Sequence, residues 1–327
     1  MTLRVLVTGG AGFIGSHVAE AHLAAGDEVT VLDDLSSGRR DQVPAGARFV
    51  LGDVRSAEAR ALVAGGGFTV LNHQAAQMDV RRSVAEPSFD ASVNVLGLLN
   101  LLEGARAGGV RRVVFASSGG TVYGDGASRP TDEAAPKLPA SPYGVAKLAA
   151  EYYLVTYGRL FGLESVALRY ANVYGPHQSA AGEAGVVAIF GRQLLAGEPV
   201  TIFGDGEQTR DFVYVADVAA ANLAAAGWAA PPLRDVDSRA LNIGTAVATS
   251  VNGLVGQLAE VAGRRPSARH APERAGELRH SQLAVGKVAR ELNWRPSTAL
   301  AAGLRATLDW LAGDTGASPR KAGIIPA

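Results

Sequence analysis

Short apolar runs recur through the first part of the chain at intervals filled by helix-like sequence: Arg4 to Thr8, Glu28 to Leu32, Arg48 to Leu51, Val70 to His73 and Arg112 to Ala116. Strands that are apolar almost throughout have both faces covered, and helices between them supply the cover, so the pattern predicts βαβ units and a parallel sheet. Right-handed crossovers make such a sheet doubly wound. Further strands are predicted at Val166 to Arg169 and Ala240 to Ile243, with stretches richer in Gly, Pro and polar turns between and after them. The expected division is an α/β domain from 1–175 and 214–245, a smaller C-terminal lobe from 176–213 and 246–312, and a loose tail at 313–327.

Composition narrows the classes of function. Of 327 residues, 31 are basic and 31 acidic, so no basic excess marks a nucleic-acid binder. No 18-residue window is wholly apolar, so no membrane span is expected. Cysteine is absent, which removes thiolate chemistry and Cys-based metal sites, and the six histidines form no HxxxH or HxH pair; no metal is expected. The start, MTLRVLVTGG, lacks the features of a secretory leader, and a cytoplasmic location is the expectation.

Directly after the first strand comes VTGGAGFIG, in which Gly9, Gly12 and Gly15 lead into a helix near Ser16 to Ala25, and Gly10, Gly12 and Gly15 also satisfy GxGxxG. Glycine there permits a tight turn, backbone contact with a pyrophosphate and close helix packing, with the helix N-terminus toward the anion. Asp33 ends the second strand 18 residues beyond Gly15, where a carboxylate accepts from adenosine ribose hydroxyls. A carboxylate repels a ribose phosphate, which favours NAD over NADP; Arg39, Arg40 and Arg55 read as solvated charges. Asp53 and Val54, in GDV at the end of the third strand, are placed beside the adenine.

SPYGVAK opens a helix with Ser141 as N-cap and Pro142 in the first turn, and sets Tyr143 and Lys147 one turn apart on one face. A phenol is a weak base at its ordinary pKa near ~10, but an ammonium and a cationic nicotinamide ring favour phenolate. Such a Tyr takes a proton from a sugar hydroxyl while hydride leaves the same carbon. The strand ending at Ala116 runs into SSGGTVYG, residues 117–124, with hydroxyls at its mouth.

TGGAGFIGSH, LDDLSSG, GDVR, SSGGTVYG, SPYGVAK, LRYANVYGP and GDGEQTRDFVYVADVA together resemble the extended short-chain dehydrogenase/reductase superfamily, and within it most closely the UDP-glucose 4-epimerases. The resemblance implies a Rossmann fold with bound NAD, held by Gly9, Gly12, Phe13, Ile14, Gly15, Asp33, Asp34, Ser37, Gly38, Asp53, Val54, Gln74, Ala75, Ala76, Asn94, Ser117, Tyr143, Lys147 and Tyr170. It implies a catalytic set of Tyr143, Lys147 and Ser118, with Ser118 bonding the sugar 4-hydroxyl. Counting from Phe115 selects Ser118, whereas counting back from Tyr123 selects Gly119. A one-residue insertion at Gly119-Gly120, taken up by positive φ, reconciles the two, with Thr121 the alternative donor and Ser117 a turn residue. The UDP-sugar is expected against Ser118, Tyr143, Asn172, Val187, Thr201, Phe203, Arg210, Arg274 and Glu277; Glu277 stands where the family usually has the shorter Asp.

By the same resemblance the reaction is inversion at C4 of a UDP-hexose through a 4-keto sugar. Sister dehydratases and decarboxylases carry a Glu just before VYG, where this chain has Thr121. UDP-glucuronate 4-epimerisation and a redox-sensing NAD-binding role stay open as alternatives. Small Ser281 at the gate beside the sugar 2-position implies that UDP-GlcNAc is accepted as well. Apolar helices at Phe89 to Leu102 and from Tyr143 onward imply a homodimer built on a four-helix bundle.

Overall fold

The computed structural model describes residues 2–125, 127–179, 185–273 and 278–314. Its strands are β1 (Arg4–Thr8), β2 (Glu28–Asp33), β3 (Arg48–Leu51), β4 (Val70–His73), β5 (Arg112–Ser118), β6 (Glu164–Tyr170), β7 (Asn172–Tyr174), β8 (Val200–Phe203), β9 (Thr209–Tyr214), β10 (Ala240–Ile243), β11 (Ala248–Ser250) and β12 (Ala268–Ala271). Seven of them form one parallel sheet in the order β10-β6-β5-β4-β1-β2-β3. The chain leaves β1 toward β2 and β3 on one side and returns to β4, β5 and β6 on the other. That reversal opens a crevice beyond the C-terminal ends of β1 and β4, the place where doubly wound sheets bind ligands.

Alternation along each strand divides the core in two. Val5, Val7, Val114, Val166 and Leu241 face one layer, with Val18 and Val218 from its helices. Leu6, Leu71, Val113 and Phe115 face the other, against Leu98, Leu101 and Leu154. Full burial of each such aliphatic side chain favours the fold by roughly 1.5–3 kcal/mol. β5 and β6 run longer than their apolar cores predict, because they pair from Arg112↔Glu164 through Ser118↔Tyr170. The ladder therefore carries Ser117, Ser118, Arg169 and Tyr170 to the crevice edge.

A second lobe stands over that edge, with sheets β11-β9-β7 and β12-β8 and helices Val186–Leu195, Val251–Val261 and Leu300–Gly313. Its core includes Tyr174, Phe190, Ile202, Phe212, Leu254, Leu258, Leu304 and Leu308. The stretch 283–294, expected in this lobe, packs Leu283, Val288 and Trp294 into the core of the main sheet. The Trp294 indole donates to the Asp217 carbonyl at 2.9 Å and straps the segment down. Among the described residues no helix is long and apolar enough to cross a membrane.

Candidate active site

The glycine turn is fixed by sterics from within. Gly9 has φ +70° and a Cβ there would lie 2.6 Å from the Ala75 nitrogen, while a Cβ on Gly15 would lie 2.1 Å from the Gly9 carbonyl oxygen. Gly12 meets only the Gly9 oxygen, at 3.2 Å, and caps the Phe13–Ala24 helix in extended conformation without a side chain. The helix N-terminus is thus left open to an anion. Ala75 donates to Thr8 Oγ1 at 3.3 Å, and Ala76 follows at the same crevice edge. On the neighbouring strand Asp33 is 7 % exposed; its Oδ2 accepts from the Ala11 amide at 2.9 Å and its Oδ1 from Leu35 at 2.8 Å. Burial pushes the Asp33 carboxyl up, and those two amides pull it back. Each oxygen retains acceptor capacity for a ribose hydroxyl, so the donor and acceptor set fits NAD.

The surrounding arginines are occupied. Arg39 pairs with Asp41 at 2.5 Å and Asp314 at 2.9 Å, Arg40 stacks over Phe49 with its guanidinium 4.4 Å from the ring centre, and Arg55 grips Asp53 at 2.5 Å. Arg39 and Arg55 are thereby committed to carboxylates rather than to a ribose phosphate. Asp53, expected beside the adenine, pairs with Arg55, which holds its carboxyl below the usual range. Val54 is buried against Gly97. Asp34 turns its carboxylate to Ser36, Ser37 is exposed, and Gly38 sits where a Cβ would lie 2.7 Å from the Ala11 carbonyl carbon.

The Pro142–Phe161 helix begins as predicted, with Ser141 Oγ accepting from Gly144 at 3.1 Å and Pro142 in the first turn. Ser83 fixes its entry by accepting from the Tyr143 amide at 3.2 Å. Lys147 is 3 % exposed, donates to the Ala116 carbonyl at 2.8 Å, and lies 5.6 Å from the Tyr143 ring centre and 4.8 Å from that of Phe115. The pair thus meets the end of β5. Burial lowers Lys147 to about 8, while Asp90 and Glu151 oppose the fall. Tyr143 moves the other way from expectation: burial first, and the Asp90 carboxylate second, push its phenol up. Both influences oppose the phenolate that the neighbouring ammonium was expected to favour.

At the end of β5 the two serines part. Ser117 is no turn residue; it is buried within the strand and donates to Glu151 at 2.5 Å, which leaves its hydroxyl hydrogen committed away from the crevice. Ser118 is half-buried, and its hydroxyl bonds nothing among the described residues. The two glycines after it do not take positive φ; they open the short helix Gly119–Val122. Gly119 is required by space, because a Cβ there would lie 2.5 Å from Leu283 and 3.2 Å from the Arg169 carbonyl oxygen. Gly120 has only Ser118 Oγ within reach, at 3.9 Å, and keeps the approach to that hydroxyl clear. Thr121 Oγ1 is buried with no partner among the described residues. Ser118→Ala is expected to lower kcat about 10–100-fold, whereas Thr121→Val keeps turnover and leaves stability unchanged or raised by about 1 kcal/mol. Comparing the two rates distinguishes the hydroxyls, and a larger loss for Thr121→Val reverses the assignment.

Gln74 and Tyr170 face each other in a buried amide cluster. The Tyr170 hydroxyl accepts from Asn222 at 2.7 Å and contacts Gln74 at 3.2 Å, and Gln74 also reaches Asn72 at 2.6 Å. Burial pushes Tyr170 up to about 12. Asn94 sits in a π-helical turn, Ser92–Leu96, and gives both amide hydrogens to Gln77 O and Asp90 Oδ1 at 2.9 Å. It braces this wall and has no donor left for a cofactor.

In the second lobe Asn172 is exposed at the start of β7. Arg210 on β9 donates to the Thr209 carbonyl at 2.9 Å, and Phe203 ends β8 half-buried. Thr201 accepts from Arg269 at 2.9 Å. Val187 is 1 % exposed within the lobe core, so its side chain does not reach a ligand. Arg274 and Glu277 lie outside the described residues. The sequence reading missed Asp90, Gln77 and the buried Glu151–Arg169 pair; polar residues at apolar helix and strand positions were the available signal.

Residues 5–244 match the NAD dependent epimerase/dehydratase family. The UDP-glucose 4-epimerase of Mycolicibacterium smegmatis is 45 % identical over 313 residues, covering 94 % of this chain and 98 % of its own. The crystal structure of Thermotoga maritima UDP-glucose 4-epimerase with UDP-glucose superimposes with a TM-score of 0.90 at 42 % identity, covering 95 % of this chain and 99 % of that one. The Thermus thermophilus UDP-glucose 4-epimerase complex with NAD gives a TM-score of 0.86 at 44 % identity, over 95 % of this chain and 100 % of that one. Because the family match runs from the first strand of the parallel sheet through its last, this chain belongs to the NAD dependent epimerase/dehydratase family.

Proposed function

We propose that this chain catalyses reversible, NAD-dependent inversion at C4 of a UDP-hexose, interconverting UDP-glucose and UDP-galactose. The observation that carries the reading is Tyr143 and Lys147 on one helix face at the end of β5, with the free hydroxyl of Ser118 at the same strand end and no carboxylate at position 121. When bound, NAD supplies a reversible acceptor for the C4 hydride. Tyr143 takes the 4-hydroxyl proton and returns it, Ser118 orients that hydroxyl, and Lys147 keeps a positive charge beside the phenol. In this reading Asn172 and Arg210 hold the diphosphate, which leaves the hexose free to turn over.

Purified protein without added cofactor is expected to convert UDP-galactose to UDP-glucose. Absence of turnover by protein shown to carry NAD overturns the reading and favours a sensor role.

Ser281 is 7 % exposed, its backbone N–H donates to the Thr209 carbonyl at 3.0 Å, and in this reading its small side chain stands at the sugar gate. UDP-GlcNAc is therefore also a substrate, and Ser281→Tyr is expected to lower its kcat/KM at least about tenfold relative to UDP-glucose. Equal effects on both sugars would count against that role.

Leu96, Val145, Tyr152, Tyr153 and Leu160 remain exposed along the two apolar helices, beside an apolar groove of about 550 Å³ between them. A second copy covers this face in a homodimer. Light scattering should give twice the chain mass, and a monomer at micromolar concentration contradicts it. A soluble cytoplasmic enzyme of galactose metabolism is the corresponding setting.

A further inference from the structure

The wall beside the catalytic helix holds a carboxylate that the reaction as described does not use. Asp90, in the helix Pro87–Ala91, is 1 % exposed. Its Oδ1 accepts from Gln77 Nε2 and Asn94 Nδ2, both at 2.9 Å, while its Oδ2 is shut from solvent and has no partner among the described residues. A carboxylate kept dry with half its acceptor capacity idle is costly unless a cation stands nearby. Asp90 shares a groove with Ser141, Pro142 and Ala146 at the start of the catalytic helix, and Lys147 follows Ala146 directly. The electrostatics agree: burial pushes the Asp90 carboxyl up, opposed by the Gln77 and Asn94 hydrogen bonds and then by Lys147; burial lowers Lys147 against Asp90 and Glu151; and burial, followed by Asp90, pushes Tyr143 up.

Other charges surround this group. Glu151, one turn past Lys147, is taken by Arg169 and Ser117; His73 of β4 is held neutral by burial, well below its usual pKa at about 3. Arg82 and Arg55 lie over the neighbouring Phe89 ring but are paired with Glu86 and Asp53. Of these charges, Lys147 is the one that acts on Asp90.

We propose that Asp90 is a positioning residue for the Tyr143–Lys147 pair, a fixed negative charge in the wall beside the catalytic helix that acts on the ammonium and the phenol through space. The assignment rests on the reading of Tyr143 as the acid/base of the reaction. It gives a reason for the π-helical turn: the extra residue places Asn94 where both its amide hydrogens serve Gln77 and Asp90, locking the carboxylate in one orientation.

Asp90→Asn tests charge with little change of shape. The amide oxygen accepts the same two hydrogen bonds, and the amide nitrogen takes the place of the unpartnered oxygen. Removing the negative charge makes phenolate easier to form, so the acid limb of kcat/KM for UDP-galactose moves to lower pH. It also makes the ammonium easier to lose, so the alkaline limb moves the same way. The expected displacement of each limb is about one pH unit, with the variant faster than the parent on the acid flank and slower on the alkaline flank. A packing residue would lower the rate without moving either limb.

A second readout does not depend on turnover. In protein loaded with NAD, the near-ultraviolet absorbance of the Tyr143 phenolate, isolated by subtracting Tyr143→Phe, is expected to titrate at correspondingly lower pH in Asp90→Asn. Unmoved limbs together with an unmoved phenolate titration overturn the proposal. A displaced titration in protein that never turns over UDP-galactose supports the role of Asp90 and removes the epimerase reading. If Asp90→Asn does not fold, Asp90→Ser must show the same displacement.

Discussion

Tyr143→Phe is expected to lower kcat for UDP-galactose about 10²–10⁴-fold while leaving the fold and NAD retention intact. The ring stays half-buried at the head of its helix, and the helix entry depends on Ser141 and Ser83 bonding backbone amides, which the substitution does not touch. What disappears is the hydroxyl, which makes no hydrogen bond to the described residues and so leaves no orphaned partner. Lys147 remains fixed to the Ala116 carbonyl. A drop of less than tenfold, with KM unchanged, would assign the proton transfer to another group.

The largest expected loss of stability comes from Arg169→Met. Arg169 is fully buried and binds Glu151 Oε2 at 2.6 Å, Asp237 at 3.1 Å and the Tyr123 hydroxyl at 2.9 Å. Methionine fills much of the space but strands the Glu151 carboxylate, itself 1 % exposed along its side chain. Breaking one member of a buried pair costs about 3–5 kcal/mol, readable as a lower urea midpoint. Arg169→Met combined with Glu151→Leu should recover most of that loss, since both charges then leave the interior together. A single variant as stable as the parent would show that the pair contributes little. Glu151 also holds Ser117, the residue before Ser118, so the single variant should turn over more slowly as well.

Much of this arrangement was legible in the sequence because local chemistry dictated it. The apolar runs marked the central strands, Ser141-Pro142 marked the start of the catalytic helix, and spacing put Tyr143 and Lys147 on one face. What escaped depended on contacts between distant segments. Gly119 reads as a conformational hinge in isolation, yet it is glycine because Leu283, far along the chain, packs where its Cβ would be. Ser117 reads as a turn residue, yet strand pairing with Arg169 keeps it in the ladder and Glu151 takes its hydroxyl. Val187 and Asn94 stand at positions suited to a ligand, but packing of the lobe core and the Gln77–Asp90 cluster claims their side chains. The upward shift of Tyr143 was likewise invisible, since it arises from burial and from Asp90 on another helix.

The central claim is that one site removes and returns the same hydrogen at C4. UDP-galactose carrying deuterium at C4, incubated with the purified protein in ordinary water, tests this directly. The account predicts UDP-glucose that keeps the deuterium at C4, formed without added cofactor; product that has lost the label to solvent would contradict it.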